Sequence, residues 1–182
     1  MSKPNIIDSR ILLQSRIFTV VETRTRFDNG QERIFEQVTT SSYGAVLIVP
    51  VLDQDTFLLI REYAPACENY ILGFPKGAIN KDENILKAAD RELMEEAGYG
   101  SRKLTYLMHM SLSPAYVHTK MDIVLAEDLY PKKIPGDEPE EIEVIPWKFS
   151  DIDALLTHPE FYESRSIAAL LLVDRMKTNR RS

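Results

Sequence analysis

The stretch from Gly77 to Tyr99, GAINKDENILKAADRELMEEAGY, limits what this chain can fold into more than any other. Ile85, Ala89, Leu93 and Ala97 recur every fourth residue and predict an amphipathic helix with that face on a core. Asn84 has the side chain of an N-cap, and Gly98 suits a left-handed C-terminal stop. Glu92, Glu95 and Glu96 stand at i, i+3 and i+4, so three carboxylates crowd one side of the same helix. Like charges that close oppose helix formation unless a cation gathers them. Oxygen-rich acidic clusters suit hard divalent ions such as Mg2+, which prefer carboxylates, waters and substrate phosphates to a full protein cage.

The order of fixed residues is Gly77, five residues, Glu83, seven residues, then Arg91-Glu92-Leu93-Met94-Glu95-Glu96-Ala97-Gly98-Tyr99. It resembles the Nudix box at every fixed position. The resemblance implies a Nudix hydrolase: an α+β protein built as an α/β/α sandwich with a mixed β-sheet. It also implies hydrolysis of a nucleoside diphosphate linked to another group, with Mg2+ or Mn2+ as cofactor, two or three ions per site. By position, Glu92 and Glu96 are the implied metal ligands, with Glu95 as a further ligand or water orienter and the Lys76 carbonyl as another ligand. Glu83 and Arg91 are the implied ion pair that fixes the loop.

This chemistry needs no side-chain nucleophile. Metal ions can neutralise a diphosphate, orient its oxygens and acidify a water. Cys67 is the only cysteine, so it has no intrachain disulfide partner and no zinc-type spacing, and it reads as a small buried or half-buried residue. His109, His118 and His158 form no recognisable cluster. A net charge of −6 argues against nucleic acid or an acidic membrane as partner, yet bound metal can reverse the local sign for a nucleotide. No apolar run reaches transmembrane length and the N-terminus MSKPNIIDSR has no export-signal pattern, so a reducing cytoplasm is expected.

The 182 residues divide by pattern. Ile17–Phe27 and Glu32–Val38 predict a hairpin across Asp28-Asn29-Gly30-Gln31. Residues 1–42 read as an N-terminal β-hairpin arm, and 43–182 as the catalytic domain. Ala45–Leu52 and Thr56–Glu62 predict a second strand pair across Asp53-Gln54-Asp55. Further strands are expected at Leu104–Leu112, Met121–Ala126 and Glu141–Trp147, and helices at Ile152–Leu156 and Ser164–Lys177.

Features outside the box bear on the substrate. Pro114, in Ser113-Pro114-Ala115, is similar to the marker of ADP-ribose pyrophosphatases. In that branch a glutamate from a loop like Gly136-Asp137-Glu138-Pro139-Glu140-Glu141 is the catalytic base, which makes Glu138 the first candidate and Glu140 the second. The branch also uses an arm like this one to form a domain-swapped homodimer. Ile71-Leu72-Gly73-Phe74-Pro75-Lys76-Gly77 departs from the branch's usual Glu-x-Pro-Ala-Gly. Pro-Lys-Gly is found in relatives acting on dinucleoside polyphosphates and diphosphoinositol phosphates. The implied substrates are ADP-ribose, NADH and short diadenosine polyphosphates, with AMP as one product. Lys76, Arg61 and Lys120 are phosphate-contact candidates, Lys76 foremost, and Tyr63 or Tyr116 a candidate to stack on adenine. Two other readings stand beside this one: a dinucleoside polyphosphate or RNA-cap hydrolase, and a catalytically silent Nudix-fold nucleotide sensor.

Overall fold

Residues 2–40 and 43–181 are described in the computed structural model. The strands are β1 Asn5–Gln14, β2 Phe18–Arg26, β3 Glu32–Thr40, β4 Ala45–Pro50, β5 Thr56–Ala64, β6 Asn69–Gly73, β7 Lys76–Ala78, β8 Tyr99–Met110, β9 Val117–His118, β10 Met121–Pro131 and β11 Glu143–Lys148. The α-helices are α1 Ile85–Glu92, which continues as a π turn over Leu93–Ala97, then α2 Ile152–Leu156 and α3 Ser164–Arg181.

Two sheets make the body. One runs β7-β4-β10-β8, with β4 and β10 parallel and the other neighbours antiparallel; the other is antiparallel, β11-β5-β6. The period of two along β4 and β10 sends successive side chains to opposite faces, and both faces are apolar. Val46, Ile48, Val124 and Ala126 pack with Ala88, Ala89, Leu93 and Ala97 of α1 and its π turn. Leu47, Val49, Ile123 and Leu125 pack with Leu155, Phe161, Ala169, Leu170 and Val173 on the other side. The result is helix, sheet, helix: an α/β/α sandwich. Each fully buried Leu or Ile in it contributes roughly 1.5–3 kcal/mol.

The N-terminal sheet differs from a simple hairpin. β2 and β3 pair around Asn29-Gly30, and β1 adds a third antiparallel strand. β1 is hard to read because its pairing shifts between Ile6 and Asp8 and between Ile11 and Leu13, which breaks the two-residue alternation. Every β1 residue is exposed. The short β9 runs parallel to the end of β3, Val38 opposite Val117, and ties this sheet to the body. The expected arm boundary at residue 42 falls on Ser41-Ser42, outside the described residues.

Two further expectations are corrected. Ala45–Leu52 and Thr56–Glu62 do not pair as a hairpin. The turn closes, with the Leu52 N–H donating to the Thr56 carbonyl at 2.9 Å, but beyond the Val51–Phe57 bridge the strands part into different sheets. Each finds neighbours elsewhere because both are apolar on both faces. Cys67 is exposed rather than buried or half-buried, since it lies in the tight turn between β5 and β6. No helix among the described residues is long and apolar enough to cross a membrane.

Candidate active site

Asn84 caps α1 through its side chain, which accepts from the Leu86 N–H at 2.9 Å. Gly98 ends the π turn at φ 72°, and its N–H donates to the Leu93 carbonyl. The wider π turn holds Glu95 and Glu96, so the three glutamates are not on one regular α-helix; π turns recur at functional sites. Glu92 and Glu96 are 7% and 4% exposed, which is rare for carboxylates unless they are paired or bind metal.

Arg91 is the cation that gathers this cluster. Its Nη1 donates to Glu92 Oε1 at 2.7 Å and to Glu95 Oε2 at 3.0 Å. Its Nε and Nη2 donate to Glu83 at 3.0 and 2.9 Å, and Nη2 also to the Ala78 carbonyl at 2.9 Å. Glu83 accepts in turn from the Asn80 N–H at 3.0 Å, so Glu83 and Arg91 clamp the loop between β7 and α1. The Arg91 hydrogen bonds hold the Glu83 carboxyl below its ordinary range. Glu96 Oε2 accepts from the Lys76 N–H at 2.8 Å. Burial pushes Glu96 up to about 8, against the opposing charge and amide of Lys76. Burial also raises Glu92, opposed by Arg91. Gly77 lies flat on Glu92, and a methyl group there would collide with the Glu92 carboxylate.

These groups share a cavity of about 660 Å3 lined by Glu62, Lys76, Arg91, Glu92, Glu95, Glu96 and, from the segment between β10 and β11, Glu138. The donor chemistry fits a hard divalent cation. Two of the carboxylates, Glu92 and Glu96, are buried, and a buried carboxylate needs a positive partner to stay charged; Gly77 leaves room for nothing but the Glu92 carboxylate. Among the described residues no group of three acidic side chains converges closely enough to enclose an ion. Glu92 and Glu95 are instead turned onto Arg91, and Glu96 onto Lys76.

The other expected residues, Lys76 excepted, lie apart from this cavity. Lys76 faces it, with its ammonium on Glu62 rather than free. Arg61 donates through Nε and Nη2 to Glu160 at 3.0 and 2.8 Å and lies over the Tyr70 ring, so its charge is taken up away from the carboxylates. Tyr63 is exposed and meets Tyr70 edge-on. Glu140 accepts from the Tyr70 hydroxyl at 2.8 Å and lines the adjoining cavity with Glu138, Lys133 and Glu95. Pro114 and Lys120 line a separate cavity near β9, and Tyr116 is 67% exposed beside it. Sequence reasoning passed over Glu62, Tyr70 and Lys133. Their partners lie 14, 70 and 38 residues away, and no local pattern marks such pairs.

Residues 43–171 match the NUDIX domain family model. The ADP compounds hydrolase NudE of Escherichia coli K12 is 43% identical over 173 residues, covering 95% of this chain and 92% of that protein. The ADP-ribose pyrophosphatase of Bacillus subtilis 168 is 30% identical over 129 residues, 70% of each. A crystal structure of an ADP compounds hydrolase superposes with a TM-score of 0.90 at 41% identity, over 99% of this chain and 97% of the other.

Proposed function

This chain belongs to the NUDIX family and is a Nudix hydrolase, and from that premise we propose that it is a cytoplasmic, metal-dependent pyrophosphatase of ADP-containing compounds. Its substrates are ADP-ribose, NADH and short diadenosine polyphosphates, split to AMP and a second phosphate product. The named activities of its relatives support the ADP half of the substrate. The observation that carries the chemistry is the cavity shared by Lys76, Glu92, Glu95, Glu96 and Glu138.

In this reading Glu92, Glu95, Glu96 and the Lys76 carbonyl hold Mg2+ or Mn2+, two or three ions, which when bound neutralise the diphosphate and make a water more acidic. The Lys76 ammonium leaves Glu62 for a phosphate oxygen. Glu138 is the base, favoured over Glu140 because it lines the acidic cavity, and it takes the proton of the water that attacks phosphorus. The phosphoanhydride bond breaks, and AMP and a second phosphate product leave. Glu83 and Arg91 keep the loop and helix in register. Residues 1–42 form a dimerisation arm, supported by the exposure of Ile6, Ile11 and Leu13 at 56–63%.

The test is product analysis with Mg2+ or Mn2+ on ADP-ribose, NADH, diadenosine triphosphate and pentaphosphate, and 8-oxo-dGTP. AMP release from the first two, lost by orders of magnitude in Glu96→Gln, is the expected result. Near wild-type turnover in Glu96→Gln would sink the metal-ligand assignment. Tight nucleotide binding without cleavage would favour a sensor.

A further inference from the structure

Outside the acidic cavity, four side chains form a line that ends on the segment carrying Glu138. Glu160 holds Arg61 through two hydrogen bonds at 3.0 and 2.8 Å. The Arg61 guanidinium carbon lies 4.9 Å from the centre of the Tyr70 ring. The Tyr70 hydroxyl donates to Glu140 Oε1 at 2.8 Å. The hydrogen bond to Glu140, with some help from burial, keeps that hydroxyl above its ordinary range, so it stays a donor.

The other end of the segment is tied to the π turn. The Lys132 N–H donates to the Gly98 carbonyl at 2.9 Å and the Ile134 N–H to the Met94 carbonyl at 3.4 Å. Lys133 Nζ donates to the Glu95 carbonyl, a cation on the last carbonyls of a helix. Between the two ties run only Pro135-Gly136-Asp137-Glu138-Pro139. Two prolines with fixed φ in so short a bridge leave Glu138 little freedom. Its carboxylate borders both the acidic cavity and the cavity beside it.

We propose that Glu140, Tyr70 and Arg61 are positioning residues for Glu138. They hold one end of the bridge while Lys133 holds the other on the metal-binding turn. This rests on the reading of Glu138 as base. It moves Arg61 away from phosphate contact and Glu140 away from proton transfer. The arrangement ties the base and the metal ligands to one frame, because Lys133 bonds the backbone of Glu95 itself.

Tyr70→Phe removes the hydroxyl and keeps the ring under Arg61. With ADP-ribose and Mg2+, Tyr70→Phe and Glu140→Ala should each lower kcat roughly 10- to 100-fold, with KM and Tm unchanged. Glu140→Gln keeps an acceptor oxygen and should recover most of the loss seen in Glu140→Ala. In a Glu138→Gln background, Tyr70→Phe should lower kcat no further, because the group it positions is already gone. Wild-type kcat in Tyr70→Phe, beside a large loss in Glu138→Gln, would overturn the proposal alone. So would a Tyr70→Phe loss that persists undiminished in Glu138→Gln. Glu140→Gln as inactive as Glu140→Ala would make Glu140 the base and overturn it too. Wild-type kcat in Glu138→Gln would instead refute the underlying reading, and the proposal with it.

Discussion

Glu96→Gln should stabilise the metal-free protein, and by an amount that grows with pH. Glu96 is 4% exposed, and its carboxyl is pushed from 4.5 up to about 8, chiefly by burial. A carboxylic acid whose folded pKa lies above its unfolded one favours folding only while it is protonated. Its full stabilisation is present below the unfolded value and is lost as pH rises between 4.5 and about 8. Relative to a neutral side chain, ionisation of Glu96 then opposes folding by about 1 kcal/mol at pH 5 and about 4 kcal/mol at pH 8. Glutamine is neutral at both and can still accept from the Lys76 N–H, the hydrogen bond that ties Glu96 to this loop. Urea unfolding of both proteins in EDTA at pH 5, 6, 7 and 8 measures the difference. Glu96→Gln should gain about 3 kcal/mol over wild type between the first pH and the last. Saturating Mg2+ should reverse the order, because the wild type, with all its ligands, gains more from the ion. A flat difference across the series, or a less stable Glu96→Gln at pH 8 in EDTA, would refute the reasoning that burial sets this group's protonation.

Other outcomes test the surroundings of the same site. Gly77→Ala puts a methyl where the Glu92 carboxylate lies, so kcat should fall about 100-fold with at most about 3 kcal/mol lost in urea unfolding. Arg91→Met leaves Glu83, Glu92 and Glu95 without their shared cation. It should cost about 2–3 kcal/mol in EDTA, less than a fully buried pair, and Mg2+ should restore part of that; unchanged stability would remove Arg91 as the organiser. Deleting residues 1–15 strips β1 and its exposed apolar side chains. Sedimentation should then change from dimer to monomer, and an undeleted protein that is already monomeric at tens of micromolar would refute the arm's role.

Much of the body is legible in the chain itself, for reasons visible in particular residues. The fourth-residue recurrence from Ile85 to Ala97 reports a local period, and the cap at Asn84 and the stop at Gly98 are local too. The apolar strands β4 and β10, expected at Ala45–Leu52 and Met121–Ala126, needed only a core on both faces. The glutamate cluster and its loop are legible because a helix brings residues three and four apart together without help from the rest of the chain.

Sequence alone determined that Glu92, Glu95 and Glu96 crowd together where α1 runs out, because neighbours in the chain are neighbours in a helix. Tertiary structure alone decided what answers that charge and what stands opposite it. Pairing sent β4 and β5 into different sheets although one turn joins them, since each strand could bury both faces only by finding other partners. It brought Glu62 under Lys76, spent Arg61 on Glu160 at a separation of 99 residues, and set Glu140 on Tyr70 at a separation of 70. It also widened the helix at Leu93–Ala97 and docked Lys133 on it. Such contacts depend on strand order and on where a distant segment returns, and no period of two or 3.6 residues carries that information.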